Sequence, residues 1–224
     1  LFLEAAIHGK NPEAMNEVGI HYNAGNFVKK DKERSLYWYE KAAHAGNKYA
    51  ASNAAYTAKK LKKYSQAYAW FTTTVDDFKY NEKSILNELG LMELYGRGRS
   101  VDISKAIKYF ERGKKLGNEY CAYNLALIYT YYRIDYEKAL EHVNEAISMK
   151  HNGSKALLGR AYMYGRGIVV NTDEAYRLFN EDTSSVASIA LGDYYLEIKH
   201  DVDAAIEHYK KAIDKGNLNG YSSL

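Results

Sequence analysis

The sequence predicts an all-α protein, an α-solenoid of about six stacked helical hairpins. Three observations carry this. A phrase recurs along the chain, clearest as Leu158-Gly159-Arg160-Ala161-Tyr162, then Gly165-Arg166-Gly167-Ile168 and Glu174-Ala175. Its small residues fall at 19, 55, 90, 126, 159 and 192, a period of 33 to 36 residues, the length of one helical hairpin. Within each period the small and apolar residues recur at i, i+4, i+5 and i+8, a helix face with none of the alternation of a strand.

Taken in order, Leu1 to Gly9 repeats the pattern of Trp38 to Gly46, so 1–10 reads as the end of a preceding repeat. Repeat 11–46 opens on Asn11-Pro12, a capping residue followed by a proline suited to the first helical position. Its first helix carries Ala14, Val18, Gly19 and Tyr22; its second carries Ser35, Trp38, Tyr39, Ala42 and Ala43. Repeat 47–81 is degenerate, with Ala54-Ala55 for the small pair. Repeat 82–117 restores Leu89-Gly90 and Gly96-Arg97-Gly98, with Lys105-Ala106 and Tyr109-Phe110 after them. Repeat 118–150 has Leu125-Ala126, repeat 151–183 the clean phrase, and repeat 184–216 Leu191-Gly192. Residues 217–224 begin a further repeat, so the termini proper are expected outside this sequence. Asp31, Asp102, Asn118 and Asp135 stand where helix caps are needed.

The spacing between the two small positions alternates. It is 16 residues from Gly19 to Ser35, Gly90 to Ala106 and Gly159 to Ala175, but 12 or 13 in the other three repeats. The long connections carry the glycines, which tolerate the positive φ of a tight helix exit.

Composition excludes several classes. The net charge is +3 from 31 basic and 28 acidic residues, too balanced for a nucleic-acid stripe. The most basic stretch, Lys59-Lys60 to Lys62-Lys63, reads as a solvated loop. One cysteine, Cys121, rules out an intrachain disulfide and a thiolate metal cluster. No apolar run is long enough to span a membrane. Cytoplasm and periplasm both fit.

The phrase LGRAYMYGRGIVVNTDEA, with EKAAHAG in the first copy, resembles the Sel-one-like repeat, a subfamily of the tetratricopeptide superfamily. The resemblance covers nearly the whole chain and is cleanest at 11–46, 82–117 and 151–183. It implies a right-handed solenoid whose first helices line a concave face. It also implies adaptor and scaffold roles in quality control, cell-wall and polysaccharide assembly, signalling or host interaction, or neutralisation of secreted toxins. Catalysis is not the rule in the family.

The residues themselves offer little chemistry. Gly96-Arg97-Gly98-Arg99 and Gly165-Arg166-Gly167 lack the strand and third glycine of a dinucleotide loop. His200-Asp201-Val202-Asp203 is a weak metal cluster, and Asp201 reads as a helix cap. Cys121 occupies the slot of Ala14, Ala50 and Ala187, where a small apolar side chain is wanted and no base is supplied. No cofactor is implied.

Tyrosine is the compositional anomaly, 23 of 224 residues. Tyr22, Tyr129, Tyr162 and Tyr195 fall at one packing offset. In tetratricopeptide relatives partner contacts occupy fixed offsets from the small residue of the first helix. Carried onto this sequence, those offsets select Tyr49, Tyr56, Tyr95, Tyr120, Tyr123, Tyr131 and Tyr164, and asparagines Asn16, Asn53, Asn87 and Asn124. They also select Glu13, Glu17, Glu88, Lys59, Lys60, Arg160 and Asp193. Asparagines once per repeat pair with a peptide backbone, and tyrosines add flat contact area. The alternative is that both merely keep a half-exposed face soluble. In the last two repeats Leu157, Met163, Val186, Ile189 and Leu196 read as an apolar inner patch for a partner, a dimer mate or a further part of the chain.

The expectation is therefore a non-enzymatic adaptor holding a peptide or protein on its concave face, without nucleic acid or membrane insertion. An immunity-type toxin inhibitor and a cell-wall scaffold are the alternatives.

Overall fold

The computed structural model describes residues 11–217. The repeat end expected at 1–10 lies outside the described residues, as does all of 217–224 except Asn217. Among the described residues there are twelve α-helices, one π-helical turn and no strand, so the all-α class expected from the period is the class observed. The helices are α1 (Pro12–Ala24), α2 (Lys32–His44), α3 (Lys48–Lys60), α4 (Tyr64–Asp76), α5 (Lys83–Tyr95) and α6 (Ile103–Lys115). After them come α7 (Glu119–Tyr131), α8 (Tyr136–Ser148), α9 (Ser154–Tyr164), α10 (Thr172–Glu181), α11 (Ser185–Tyr194) and α12 (Val202–Asp214). The π-turn, Tyr195–Lys199, follows α11 directly. The chain gathers into two compact units, Leu1–Leu116 with hairpins α1–α2, α3–α4 and α5–α6, and Gly117–Leu224 with α7–α8, α9–α10 and α11–α12.

Helix starts follow local chemistry. The side chains of Asn11, Asp31, Asn47, Asp102, Asn118, Asp135, Asn171, Ser184 and Asp201 each accept the backbone N–H three residues on. That satisfies one of the orphan donors at each N-terminus, worth about 1 kcal/mol apiece. Several caps also close the hairpin: the N–H groups of Asp31, Asp102, Asp135, Asn171 and Asp201 donate back to the carbonyls of Tyr22, Glu93, Tyr129, Tyr162 and Tyr195.

Four of the six hairpins are held shut by a ring lying on a glycine. Tyr39 covers Gly19, Phe110 covers Gly90, Phe179 covers Gly159 and Tyr209 covers Gly192. A Cβ on Gly159 would stand 2.5 Å from Phe179 Cε1, closer than packed carbons approach. Phe71, Phe110 and Phe179 have no exposed surface, and each such ring contributes about 1.5–3 kcal/mol by leaving water. In the first hairpin the Ser35 hydroxyl also donates to the Gly19 carbonyl at 2.8 Å.

The long loops seat one hairpin on the one before it. Gly98, at φ +83°, lies against the first turn of α4, where its Cβ would stand 2.5 Å from the Tyr64 carbonyl carbon. Ser65 Oγ donates to the Gly98 carbonyl at 3.1 Å. Gly167 meets Tyr136 at the start of α8 in the same way. Glu93 locks the Gly98 loop further. Its carboxylate is fully buried, accepts the Tyr68 hydroxyl at 2.7 Å, and lies 2.9 Å from Arg99 Nε in a charge contact without hydrogen-bond alignment. Burial, then the bond to Glu93, holds the Tyr68 phenol well above its ordinary range.

Tyr195 holds the packing offset expected of it: it is half-buried like Tyr22, Tyr129 and Tyr162, and packs with Tyr162 against one core, next to the fully buried Tyr194. One expectation needs correction. The basic stretch is not all solvated loop: Lys59 and Lys60 end α3, and Lys59 pairs with Glu88 at 2.5 Å.

Gly98→Ala is expected to destabilise the protein by about 1–3 kcal/mol, from a strained φ plus a steric clash. Gly46→Ala, at φ +99° with nothing within 4 Å of its Cβ, carries the backbone cost alone. Urea denaturation of both variants checks this. Equal costs would mean that the Gly98 loop is not seated on α4.

Candidate functional site

Within each unit the first helices of successive hairpins lie side by side and bond to one another. In the N-terminal unit Asn53 Nδ2 donates to Asn16 Oδ1 at 3.0 Å, linking α3 to α1. Between α3 and α5, the Tyr56 hydroxyl donates to Ser84 Oγ at 3.1 Å alongside the Lys59–Glu88 pair. In the C-terminal unit Arg160 on α9 pairs with Asp193 on α11. Asp193 also accepts the Tyr209 hydroxyl at 2.9 Å. These rungs satisfy the polar groups of the face internally.

Tyrosines flank the rungs at both ends of the helices. At the first-turn end of the N-terminal unit, Tyr49 is 54 % exposed and meets Tyr80 edge-to-face at 5.6 Å, with Lys48 Nζ 5.1 and 5.4 Å from the two rings. At the last-turn end Tyr95 lies under Arg97. The C-terminal unit repeats the plan. Tyr120 meets His151 edge-on at 4.9 Å and Tyr123 stacks on the same imidazole at 4.3 Å. Burial holds His151 below its ordinary pKa, favouring the neutral ring. At the other end Arg166 lies over both Tyr131 and Tyr164, 5.5 and 5.1 Å from the ring centres. The Tyr164 hydroxyl donates to Glu197 at 3.1 Å, and burial together with that carboxylate pushes its pKa up to about 12.

The residues selected from the sequence therefore divide. Tyr49, Tyr95, Tyr120, Tyr131 and Tyr164 are exposed on the first helices, and Tyr56 and Tyr123 are half-buried. Asn16, Asn53 and Asn87 are half-buried, the first two bonded to each other. Asn124 is 9 % exposed and belongs to the interior rather than to a groove. Arg160 is committed to Asp193 and Tyr209 is joined to the same carboxylate, so the guanidinium is a structural rung. The apolar patch expected in the last repeats does not form as drawn. Leu157 and Met163 are core residues, Val186 packs against that core, and Leu196 is the exposed member at 41 %. Cys121 is fully buried, its thiol pushed up to about 12 by burial and then by Glu119, so it is protonated near neutral pH.

Sequence reasoning missed Tyr80 and His151. Each lies 31 residues after the tyrosine it contacts, Tyr49 or Tyr120, in the turn that ends the same hairpin. That shared spacing was the available signal. Among the described residues no three His, Cys, Asp or Glu side chains converge as metal ligands, and no helix is long and apolar enough to cross a membrane.

A tandem array of helical hairpins with this glycine–ring closure defines a helical-repeat protein. The chain belongs to the Sel1 repeat family, whose model matches residues 12–47, 86–118, 154–181 and 185–217, more than half of its length. It is similar in structure to a protective antigen of uropathogenic Escherichia coli with an SLR fold (TM-score 0.71, 22 % identity, 98 % of this chain and 49 % of that one). It is also similar to a Sel1 repeat protein of Oxalobacter formigenes (TM-score 0.68, 23 % identity, 96 % of this chain and 89 % of that one). A third neighbour is a chain of the APC/C hetero-tetramer Cut9–Hcn1 (TM-score 0.65, 16 % identity, 99 % of this chain and 43 % of that one). The chain thus spans about half the length of the first of these. Comparison with curated proteins finds no match. Repeat folds of this kind generally serve protein–protein interaction.

If Arg160 and Asp193 form a structural rung, Arg160→Ala lowers stability by about 1–3 kcal/mol. A double-mutant cycle with Asp193→Asn should give a coupling of at least about 0.5 kcal/mol by chemical denaturation. An unchanged melting point in Arg160→Ala would return the residue to the ligand-contacting set.

Proposed function

We propose that this protein is a non-enzymatic scaffold that holds a peptide or an extended protein segment on the face that the first helices form within each unit. The observation that carries this is the distribution of exposed aromatic rings. Tyr49, Tyr95, Tyr120, Tyr131 and Tyr164 all project from first helices, around polar rungs that are already satisfied. Exposed tyrosines fixed by neighbouring rings and cations supply rigid contact area at low entropic cost. The rungs keep the helices in register, so the face is formed before the ligand arrives. Recognition then rests mainly on the tyrosine margins, with the half-buried Asn16, Asn53 and Asn87 lending polar contacts to a passing backbone.

Selection of peptides from an unbiased display library on the folded protein supplies a ligand for the test. The double variant Tyr49→Ala, Tyr120→Ala should weaken binding of the selected peptides by about tenfold or more, the loss of at least one aromatic anchor. Tyr37→Ala, on the second helix α2 and 50 % exposed, should change it less than about twofold. Fluorescence anisotropy reads both. Equal losses, or loss in Tyr37→Ala alone, would place the ligand elsewhere.

A further inference from the structure

The second helices carry a charge asymmetry that the tyrosine-margined face does not explain. Helix α6 has five basic residues, Lys105, Lys108, Arg112, Lys114 and Lys115, against the single acid Glu111. Helix α8 has Lys138 against Glu137, Glu141 and Glu145. Helix α10 has Arg177 against Asp173, Glu174 and Glu181. Four of the α6 cations, Lys105, Lys108, Arg112 and Lys115, follow one another at helical spacing along one exposed stripe. The stripe runs about 15 Å, at 1.5 Å per residue.

Local partners neutralise little of this charge. Lys105 Nζ lies 3.9 Å from Asp102, a loose surface contact. Arg112 donates to the neutral amide of Asn81 at 2.8 Å and sits 5.9 Å over the Tyr109 ring. Lys108 and Lys115 meet no carboxylate among the described residues. Arg112 lies four residues after Lys108, and like charges at that spacing repel on a helix surface. A shallow hollow of about 560 Å³ lies along the helix, lined by the four cations with Glu111 and flanked by the half-buried side chains of Ile107 and Tyr109.

We infer that the outer face of α6 is a second docking surface, independent of the first-helix face, and that its occupant is an acidic polypeptide segment with apolar side chains. Charge complementarity selects the acidic groups, the four cations outnumbering the single Glu111, and the half-buried Ile107 and Tyr109 flanking the stripe take the apolar ones. Four cations on one helix make too short and narrow a stripe for a nucleic-acid backbone, which engages a broader basic surface. Interfaces of this kind gain their association rate from the opposed charges and weaken as salt screens them.

The probe is a fluorescein-labelled helical peptide with Glu at every fourth position and Leu along its opposite edge, read by anisotropy at low and at physiological salt. The protein should bind it, more weakly as salt rises. The variant Lys108→Glu, Arg112→Glu, Lys115→Glu should lose about tenfold or more in affinity. The charge-matched control Lys29→Glu, Lys30→Glu, Lys210→Glu, at exposed positions off the stripe, should lose less than about twofold. Circular dichroism checks folding. If the triple variant loses helix, Lys108→Gln with Lys115→Gln replaces it and should still weaken binding. No binding by the unaltered protein would overturn the assignment. So would equal losses in stripe and control variants, which would reduce the effect to net charge. Duplex DNA that outcompetes the peptide at equal charge concentration would also overturn it.

Discussion

Everything in this fold depends on how closely two helices of a hairpin can approach. The first helix must present a residue with almost no side chain where the second presents a ring. Tyr39 on Gly19, Phe110 on Gly90, Phe179 on Gly159 and Tyr209 on Gly192 are four instances of one contact. In the other two hairpins alanine takes the small position, and Phe71 or Val143 lies in the same buried cluster. Interiors are close-packed, so the contact tolerates neither an added methyl nor a lost ring without repacking. Once it is made, the rotation of each first helix about its axis is determined. That rotation decides which residues are left facing outward.

Function on this reading is a consequence of what the closure leaves over. The ring contact uses one side of each first helix and the loop seats fall on second helices, so another side of the first helix is left to carry polar rungs and tyrosines. The rungs turn inward on themselves: Asn16 with Asn53, Lys59 with Glu88, Arg160 with Asp193. Their energetic role is to satisfy half-buried polar groups and hold neighbouring helices in register. The tyrosines are braced by Lys48, Arg97 and Arg166 yet keep much of their ring surface in solvent. A surface ordered in advance loses little entropy on binding, which suits a scaffold whose partners are segments rather than small molecules.

The sequence made the fold readable because the closing contact repeats. Six small residues at a period of 33 to 36, each answered by a second small residue 12 to 16 positions later, leave few alternatives to stacked hairpins. The caps were equally plain, since a side chain three residues before an orphan donor is a local matter. Where the reading went astray, the cause was non-local. Asn124 was selected by its offset, but its burial is set by neighbouring helices. Arg160 was selected as a contact, although Asp193 stands one residue after Gly192 as Arg160 stands one after Gly159. Glu93 was passed over, though it stands at the offset held by Tyr22, Tyr129 and Tyr162, an acid among aromatics. A carboxylate there made sense only once Arg99 and Tyr68 were seen around it.

The most direct test of this account is a double-mutant cycle across one closing contact, Gly90 and Phe110, measured by chemical denaturation. Gly90→Ala should cost about 1–3 kcal/mol through overpacking. Phe110→Leu, which withdraws the ring from the space the new methyl needs, should recover part of that loss. The double variant is then more stable than the two single costs predict by at least about 0.5 kcal/mol. Strictly additive costs would contradict the account, because they would mean that the ring and the glycine do not set the distance between the two helices.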